Sequence, residues 1–290
     1  MCLARLNSVW NSLNKNSEHL DKYNAIIQDQ LNRDIIEIVD LEKEPDSDLL
    51  RYIPHHQVVT PDKATTKIRI VYDGSAKTND PNDVSLNECL YKGPLLIPEL
   101  LGVLLRTRTT PILISADVEK AFLTIELDCA DREITRFLWL KDPNMPPTQD
   151  NLETYRFKRV PFGIISSPFL LCATIEHHLS QYKNDPNLSD IGRNIYVDNV
   201  FLFSSTAESA IDLYNSTKNI FKEAGMNLRD YMSNNEDFNK YVSSKESSNI
   251  PNVTKVLGIK WNLEKDEYLI VLKYSDLSQM YVSPTLYKLL

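Results

Sequence analysis

Two acidic residues occupy positions at which a folded chain can bring carboxylates together. Asp117 ends the apolar run PILISADV, which is typical of a buried central strand. Asp198 and Asn199 lie between the apolar halves of NIYVDNVFLF, and this polar pair predicts a tight β-turn. If the strand and the hairpin are neighbours in one sheet, the carboxylates can share divalent cations and support two-metal phosphoryl chemistry.

The elements predicted around these acids are mixed. Helical spacing and then the run IIEIV predict a helix and a strand within 17–40. YIPHHQVV and TKIRIVYDG predict a hairpin, and RFLWL at 136–140 and TYRFKRV at 154–160 predict two more strands. Ser166 and Ser167 before Pro168 predict a helix with a serine N-cap and a proline in its first turn, and KVLGIKWNL with YLIVL predicts a last hairpin. The expected fold class is α+β with mostly antiparallel strands.

Composition limits the function classes. The 290 residues are 42% hydrophobic and 25% charged, as in ordinary globular proteins. The sequence has neither a membrane-spanning apolar run nor a signal-peptide core, so we expect an intracellular protein without a membrane partner. The four scattered cysteines predict neither a disulfide framework nor a zinc site. A net charge of −8 argues against a strongly basic nucleic-acid coat but is compatible with a local basic groove.

Eight segments together resemble one family. They are YIPHH, TTKIRIVYDGSAK, SLNECLYKGP, ISADVEKAF, TRFLWL, RVPFGIISSPF, YVDN and AGMNLRDY, in the order found in the reverse transcriptases of BEL/Pao-type LTR retrotransposons. A single segment of this kind is weak evidence, but eight in order are strong. The resemblance covers roughly residues 20–270. It implies a right-hand polymerase fold of fingers and palm, with little or no thumb, in which helices back an antiparallel palm sheet.

The resemblance also implies a division of the chain. An intact element would encode protease, ribonuclease H and integrase segments as well, and we expect the chain to be a fragment of such a polyprotein. The implied segments are a helical lead-in (1–49), fingers (50–110), palm with the first acid (111–128), a fingers–palm connection (129–160), palm with the active-site hairpin and primer grip (161–270), and the truncated start of a thumb or following segment (271–290).

Catalytic and metal-binding roles follow from the same resemblance. The invariant palm acid falls on Asp117, and the first acid of the tyrosine-x-Asp-Asp hairpin falls on Asp198. With Val118 beside Asp117, these residues are implied ligands of Mg²⁺ or Mn²⁺. Asn199 stands where most reverse transcriptases have a second aspartate, and its amide supplies an oxygen but no charge. This departure predicts weakened or lost catalysis.

The resemblance assigns further residues to the substrates. Phe122 would exclude a ribose hydroxyl, and Lys67 and Arg69 would hold the triphosphate of the incoming dNTP through charge-assisted hydrogen bonds. Pro161, Phe162 and Gly163 would line the nucleotide pocket. The residues implied to contact primer and template are Tyr196, Val197, Leu257, Gly258, Ile259 and Trp261.

Three hypotheses remain open on these residues. The first is an RNA-directed DNA polymerase that extends a primer on an RNA or DNA template in the cytoplasm, inside a virus-like particle in an intact element. The second is an impaired or inactive fragment that at most binds nucleic acid, favoured by Asn199 and the missing thumb. The third is a metal-dependent hydrolase or nuclease, which leaves RVPFG unexplained. Taken singly, Asp117 could be a strand-end cap, Phe122 a core residue, and Lys67 with Arg69 a solvated strand face.

Overall fold

The computed structural model describes residues 1–59, 68–182 and 191–269. Within these ranges, helices and strands alternate irregularly along the chain, which confirms the α+β class. None of the described helices is long and apolar enough to cross a membrane. The helices are α1 (Cys2–Leu13), α2 (Ser17–Asn32), α3 (Leu86–Cys89), α4 (Leu100–Arg106), α5 (Cys129–Arg132), α6 (Ser167–Leu179), α7 (Ala207–Glu223) and α8 (Glu236–Glu246).

The strands of the described ranges form four sheets, and every pair of neighbouring strands in them is antiparallel. The strands are β1 (Ile36–Ile38), β2 (His55–Val59), β3 (Ile68–Tyr72), β4 (Ile112–Val118), β5 (Phe137–Leu140), β6 (Leu152–Phe157), β7 (Ile195–Tyr196), β8 (Asn199–Ser204), β9 (Leu228–Ser233), β10 (Val253–Val256), β11 (Ile259–Asn262) and β12 (Glu267–Leu269).

The palm sheet has the strand order β7-β8-β4-β9. Alternate residues of β4, such as Ile112 and Ile114, lie in one core with apolar side chains of α6, α7 and α8. Leu113 points to the other face, where it lies in a second core with Val103 of α4 and Trp261 of β11. The apolar run PILISADV is therefore a strand buried on both faces, and the antiparallel palm sheet backed by helices is confirmed.

A third core joins the beginning of the chain to residues from its middle. Tyr23 of α2 packs on Trp139 of β5, with ring centroids 4.9 Å apart, and Phe137 and Phe157 are fully buried beside them. The sheets β1-β6-β5 and β2-β3 contribute to this core together with α1 and α2. We call it the fingers core, and the segment boundaries inferred above stay predictions.

One local prediction is confirmed and another is incomplete. The predicted helix with a serine N-cap and a proline in its first turn is α6, with Ser166 at the N-cap position, although the Ser166 side chain makes no capping hydrogen bond. The run KVLGIKWNL is two strands, β10 and β11, because Leu257 and Gly258 both have positive φ and reverse the chain. The predicted last hairpin is present as β11 with β12, and β10 adds a third strand to it; residues 270–272 of YLIVL lie outside the described residues.

The centre of the fingers core holds a buried histidine. The hydroxyl of Tyr23 bonds to Nδ1 of His55, and Nε2 of His55 bonds to the carbonyl of Leu138 at 2.8 Å. Burial lowers the pKa of His55 from its ordinary 6.5 to about 4. The folded state therefore keeps this ring neutral at pH values at which an unfolded chain already binds a proton.

The fold should consequently become less stable as the pH is lowered. Between about pH 7.5 and about pH 5, only the unfolded His55 takes up a proton, so the free energy of unfolding should decrease by about 2 kcal/mol. Urea titration across this range would measure the decrease. His56, the exposed neighbour, provides the control: His56→Gln should keep this part of the decrease and His55→Gln should lose it. Equal pH profiles for the two variants would contradict the assignment.

Candidate active site

The pairing of β4 with β8 brings the two acids together. Their register runs from Ile112 opposite Ser204 to Asp117 opposite Asn199. Beyond that pair, the amide of Val118 donates to the carbonyl oxygen of Asp198 at 2.8 Å. The hairpin tip therefore lies against the end of the central strand, as the two-acid hypothesis requires.

The hairpin turn is displaced by one residue from its predicted position. Tyr196 of β7 pairs with Asn199 of β8, so Val197 and Asp198 form the turn, and the prediction of Asp198 with Asn199 is wrong. Val197 has φ of 58°, a conformation that is strained for a β-branched side chain. Asp198 consequently lies at the tip, while Asn199 starts the return strand opposite Asp117.

At the end of β4, the local electrostatics disfavour a negative charge on Asp117 next to the Asp198 carboxylate. Burial raises the pKa of Asp117, and the nearby Asp198 carboxylate raises it further, while the Arg229 guanidinium works in the opposite direction. Nε of Arg229 donates to Oδ2 of Asp117 at 3.3 Å, and Nδ2 of Asn199 donates to Oδ1 of Asp198 at 2.9 Å. A cation at this point would relieve the repulsion between the carboxylates.

The residues fit a hard divalent cation. Mg²⁺ takes oxygen ligands, commonly one or two protein carboxylates with the remainder from water and substrate phosphates, and Asp117 and Asp198 supply that number. The described ranges contain no group of three or more His, Cys, Asp or Glu side chains arranged so that they could hold a metal ion. Ligation through Val118 stays a prediction, as does a contribution from Asn199, whose amide nitrogen faces Asp198.

An aromatic pair lies one turn beyond Asp117. The Phe122 and Phe162 rings meet edge to face with centroids 4.8 Å apart. Phe122 is half-buried, Phe162 is 45% exposed, and Pro161 is buried beneath the turn. The structure thus brings Phe122 and the 161–163 turn together, and their role in a nucleotide pocket stays a prediction.

Gly163 places this turn directly against the fingers core. Its φ is 91°, and a Cβ atom there would come within 2.2 Å of the Tyr72 carbonyl oxygen. Asn87 holds the same junction: its side-chain amide donates to the Gly163 carbonyl at 3.1 Å, and its oxygen accepts from the Ile165 amide at 2.9 Å. β3, which leads into Tyr72, also carries Arg69, whose side chain is exposed; Lys67 lies outside the described residues.

The predicted primer grip forms the turn between β10 and β11. Gly258 is exposed at its tip, and Leu257 and Ile259 flank it partly buried. Trp261 requires a correction, because its side chain is fully buried and its Nε1 donates to Asp266 at 3.0 Å. This indole therefore packs in the core and has no exposed surface that could contact a primer.

Comparison with protein families decides the assignment of the chain. The family model described as reverse transcriptase (RNA-dependent DNA polymerase) matches residues 22–231, which include both acids and the 161–163 turn. The chain belongs to this reverse transcriptase family. A search of curated protein sequences finds no match.

Solved structures of foamy virus proteins share the fold of this reverse transcriptase chain. One, a foamy viral protease-reverse transcriptase with an RNA/DNA hybrid, has a TM-score of 0.57 at 17% identity, over 86% of this chain and 26% of that one. Two others, solved with double-stranded DNA, have TM-scores of 0.56 and 0.55 at 19% and 20% identity, over 83% and 82% of this chain. The chain spans only 33% and 39% of these two proteins.

Two residues of the reverse transcriptase site were not identified from sequence. Arg229 lies in the segment AGMNLRDY, and the sequence carries no signal for its role, because its contact with Asp117 depends on the pairing of β9 with β4. Asn87 lies in SLNECLYKGP and carries no local signal, because its partners are 76 and 78 residues away in the chain.

Substitution of Gly163 should disrupt the junction of this turn with the fingers core. Gly163→Ala combines an unfavourable φ with a collision against the Tyr72 backbone, whereas Gly225, with φ of 71°, has open space around it. We expect Gly163→Ala to lower the free energy of unfolding by at least about 2 kcal/mol more than Gly225→Ala. Urea titration of both variants measures the difference, and equal losses would contradict the close approach.

Proposed function

We propose that the chain is the polymerase core of an RNA-directed DNA polymerase, which extends a primer with dNTPs on an RNA or DNA template. One observation carries the proposal: in a chain of the reverse transcriptase family, Asp117 and Asp198 meet at the end of the central palm strand. Mg²⁺ or Mn²⁺ held by these carboxylates would stabilise the attacking and leaving oxygens of an in-line displacement.

The two acids and the residues near them have different roles in the proposed reaction. Asp117 and Asp198 define where the reacting phosphate lies. In the step itself, the primer 3′ oxygen forms a bond to the α-phosphorus while the bond to pyrophosphate breaks. Phe122, which packs edge to face with Phe162, would contact the sugar of the incoming nucleotide, and Arg69 provides an exposed cation on β3 for the triphosphate.

A second candidate function rests on Asn199. Because its amide bonds to Asp198 and adds no charge, the site has two carboxylates where most members of the family have three. A fold with such a site could bind nucleic acid without turning over.

Primer extension tests the proposal directly. Purified protein with poly(rA), oligo(dT), dTTP and Mg²⁺ or Mn²⁺ should incorporate dTMP, and Asp117→Ala should reduce the rate by about 100-fold or more. Asp212→Ala, an exposed acid on α7, is the matched control and should leave the rate unchanged. Extension that survives Asp117→Ala would refute the assignment of the catalytic acid.

The variant Asn199→Asp separates the two candidate functions. In an active polymerase it should change a rate that is already measurable, raising it as the third carboxylate strengthens metal binding. Extension seen only after Asn199→Asp would instead establish an impaired fold that retains nucleic-acid binding.

Sugar selection provides an independent test of the pocket. Phe122→Ala removes the ring proposed to meet the 2′ position, so the kcat/KM ratio for dTTP over UTP should fall by about 10-fold or more. Phe162→Ala, which removes the ring packed against Phe122 but keeps the Phe122 ring itself, should lower the ratio less. An unchanged ratio in Phe122→Ala would assign this ring to the core alone.

The finer classification is also part of the proposal. The order of the eight sequence segments supports a BEL/Pao-type retrotransposon as the source, with protease, ribonuclease H and integrase segments as neighbours in one polyprotein. We propose the cytoplasm, within a virus-like particle, as its location. Flanking coding sequence without a protease or integrase segment would argue against this origin.

A further inference from the structure

Arg229 is the one described cation in contact with the proposed catalytic acids. Its Nε lies 3.3 Å from Oδ2 of Asp117. The same guanidinium lies 3.6 Å from a carboxylate oxygen of Glu119 and 3.6 Å from one of Asp230. It thus bridges one proposed metal ligand and two acids to which no metal role is assigned.

An irregularity in β9 places Arg229 there. Ser115 pairs with Met232, but two positions later Asp117 pairs with Arg229, so two residues of β9 oppose Ala116. In an unbroken register, Asp230 would face Asp117 and add a third negative charge. The bulge, in which Asp230 has a φ of 52°, moves Asp230 out of the position opposite Asp117. Arg229 occupies that position instead.

The core fixes this bulge. Leu228 and Tyr231 are both buried with the helices behind the sheet, although they are three residues apart and a regular strand would point them to opposite faces. Arg229 therefore points to the Asp117 side for the same reason that Leu228 and Tyr231 point away from it. Its side chain is still 44% exposed, which leaves it free to move without disturbing the core.

The Glu119 carboxylate is a second group with which the Arg229 guanidinium can pair. The Glu119 side chain accepts a hydrogen bond from the Asn227 side-chain amide at 3.0 Å, and its backbone amide donates to the Asn227 carbonyl at 2.9 Å. Glu119 is thus held in place beside Asp117. An arginine that leaves Asp117 finds this carboxylate a short movement away.

We propose that Arg229 is a positioning residue that competes with the divalent cation for Asp117 and moves to Glu119 and Asp230 when the cation binds. The proposal rests on the proposed function, since it assumes that Asp117 is a metal ligand. Its consequence is that Arg229 raises the concentration of divalent cation at which the site fills. The chain then holds Asp117 in place by an internal cation whenever the metal is absent.

Direct cation binding tests the competition without polymerase activity. Free Mn²⁺ would be titrated by electron paramagnetic resonance against the full chain, in the absence of nucleotide and nucleic acid. Arg229→Gln should tighten Mn²⁺ binding about 1.4- to fivefold, which corresponds to the roughly 0.2–1 kcal/mol that an exposed ion pair of this kind contributes. Unchanged or weaker binding in Arg229→Gln would overturn the proposal.

Lys120 provides the matched control for charge alone. It lies three residues from Asp117 in the chain and pairs with Asp29 at 3.4 Å. Lys120→Gln removes the same charge nearby without freeing Asp117, so it should change Mn²⁺ binding by less than Arg229→Gln does. If Mn²⁺ affinity increased equally in the two variants, the increase would come from the general electrostatic field and not from the contact with Asp117. That result would overturn the competition.

The variant Asp117→Asn distinguishes a failure of the Arg229 competition from a failure of the proposed function. If Asp117→Asn binds Mn²⁺ as well as the unaltered chain does, the two-acid cation site itself is refuted. If Asp117→Asn loses binding while Arg229→Gln leaves it unchanged, the site stands and only the competition is refuted.

Discussion

The site depends above all on the antiparallel pairing of β4 with β8. β4 is buried on both faces, and this burial specifies its register, because a slip by one residue would turn Asp117 into the core behind the sheet. The same register sets Asn199 opposite Asp117 and lets Val118 bond to the backbone of Asp198. Apolar packing away from the site thus determines where two charged groups meet.

Three of the seven non-glycine residues with positive φ in the described ranges lie near that meeting point. Lys120, Val197 and Asp230 all have positive φ, although none is a glycine, and each lies within three residues of Asp117, Asp198 or Arg229 in the chain. Each such residue costs on the order of 1 kcal/mol and persists only where surrounding structure enforces it. Here the buried palm sheet and its helices enforce it, so the fold stabilises an arrangement that local preferences disfavour.

Sequence patterns predicted what depends on burial and failed where tertiary context decides. The apolar run ending at Asp117 predicted a central strand because burial on both faces leaves a continuous apolar signal. The turn at Val197 was misplaced because a valine at positive φ opposes local preference. Arg229 received no role because a bulge in β9, invisible in composition or periodicity, sets its partner. Trp261 was assigned to the primer, whereas packing buries it.

The central claim is that Asp117 and Asp198 together hold a divalent cation. The most direct measurement is a crystal structure of the chain grown with Mn²⁺, in which anomalous scattering locates the ion. The account predicts a peak within roughly 2.0–2.3 Å of a carboxylate oxygen from each residue. A peak that contacts only one of them, or none at this end of the central strand, would contradict it.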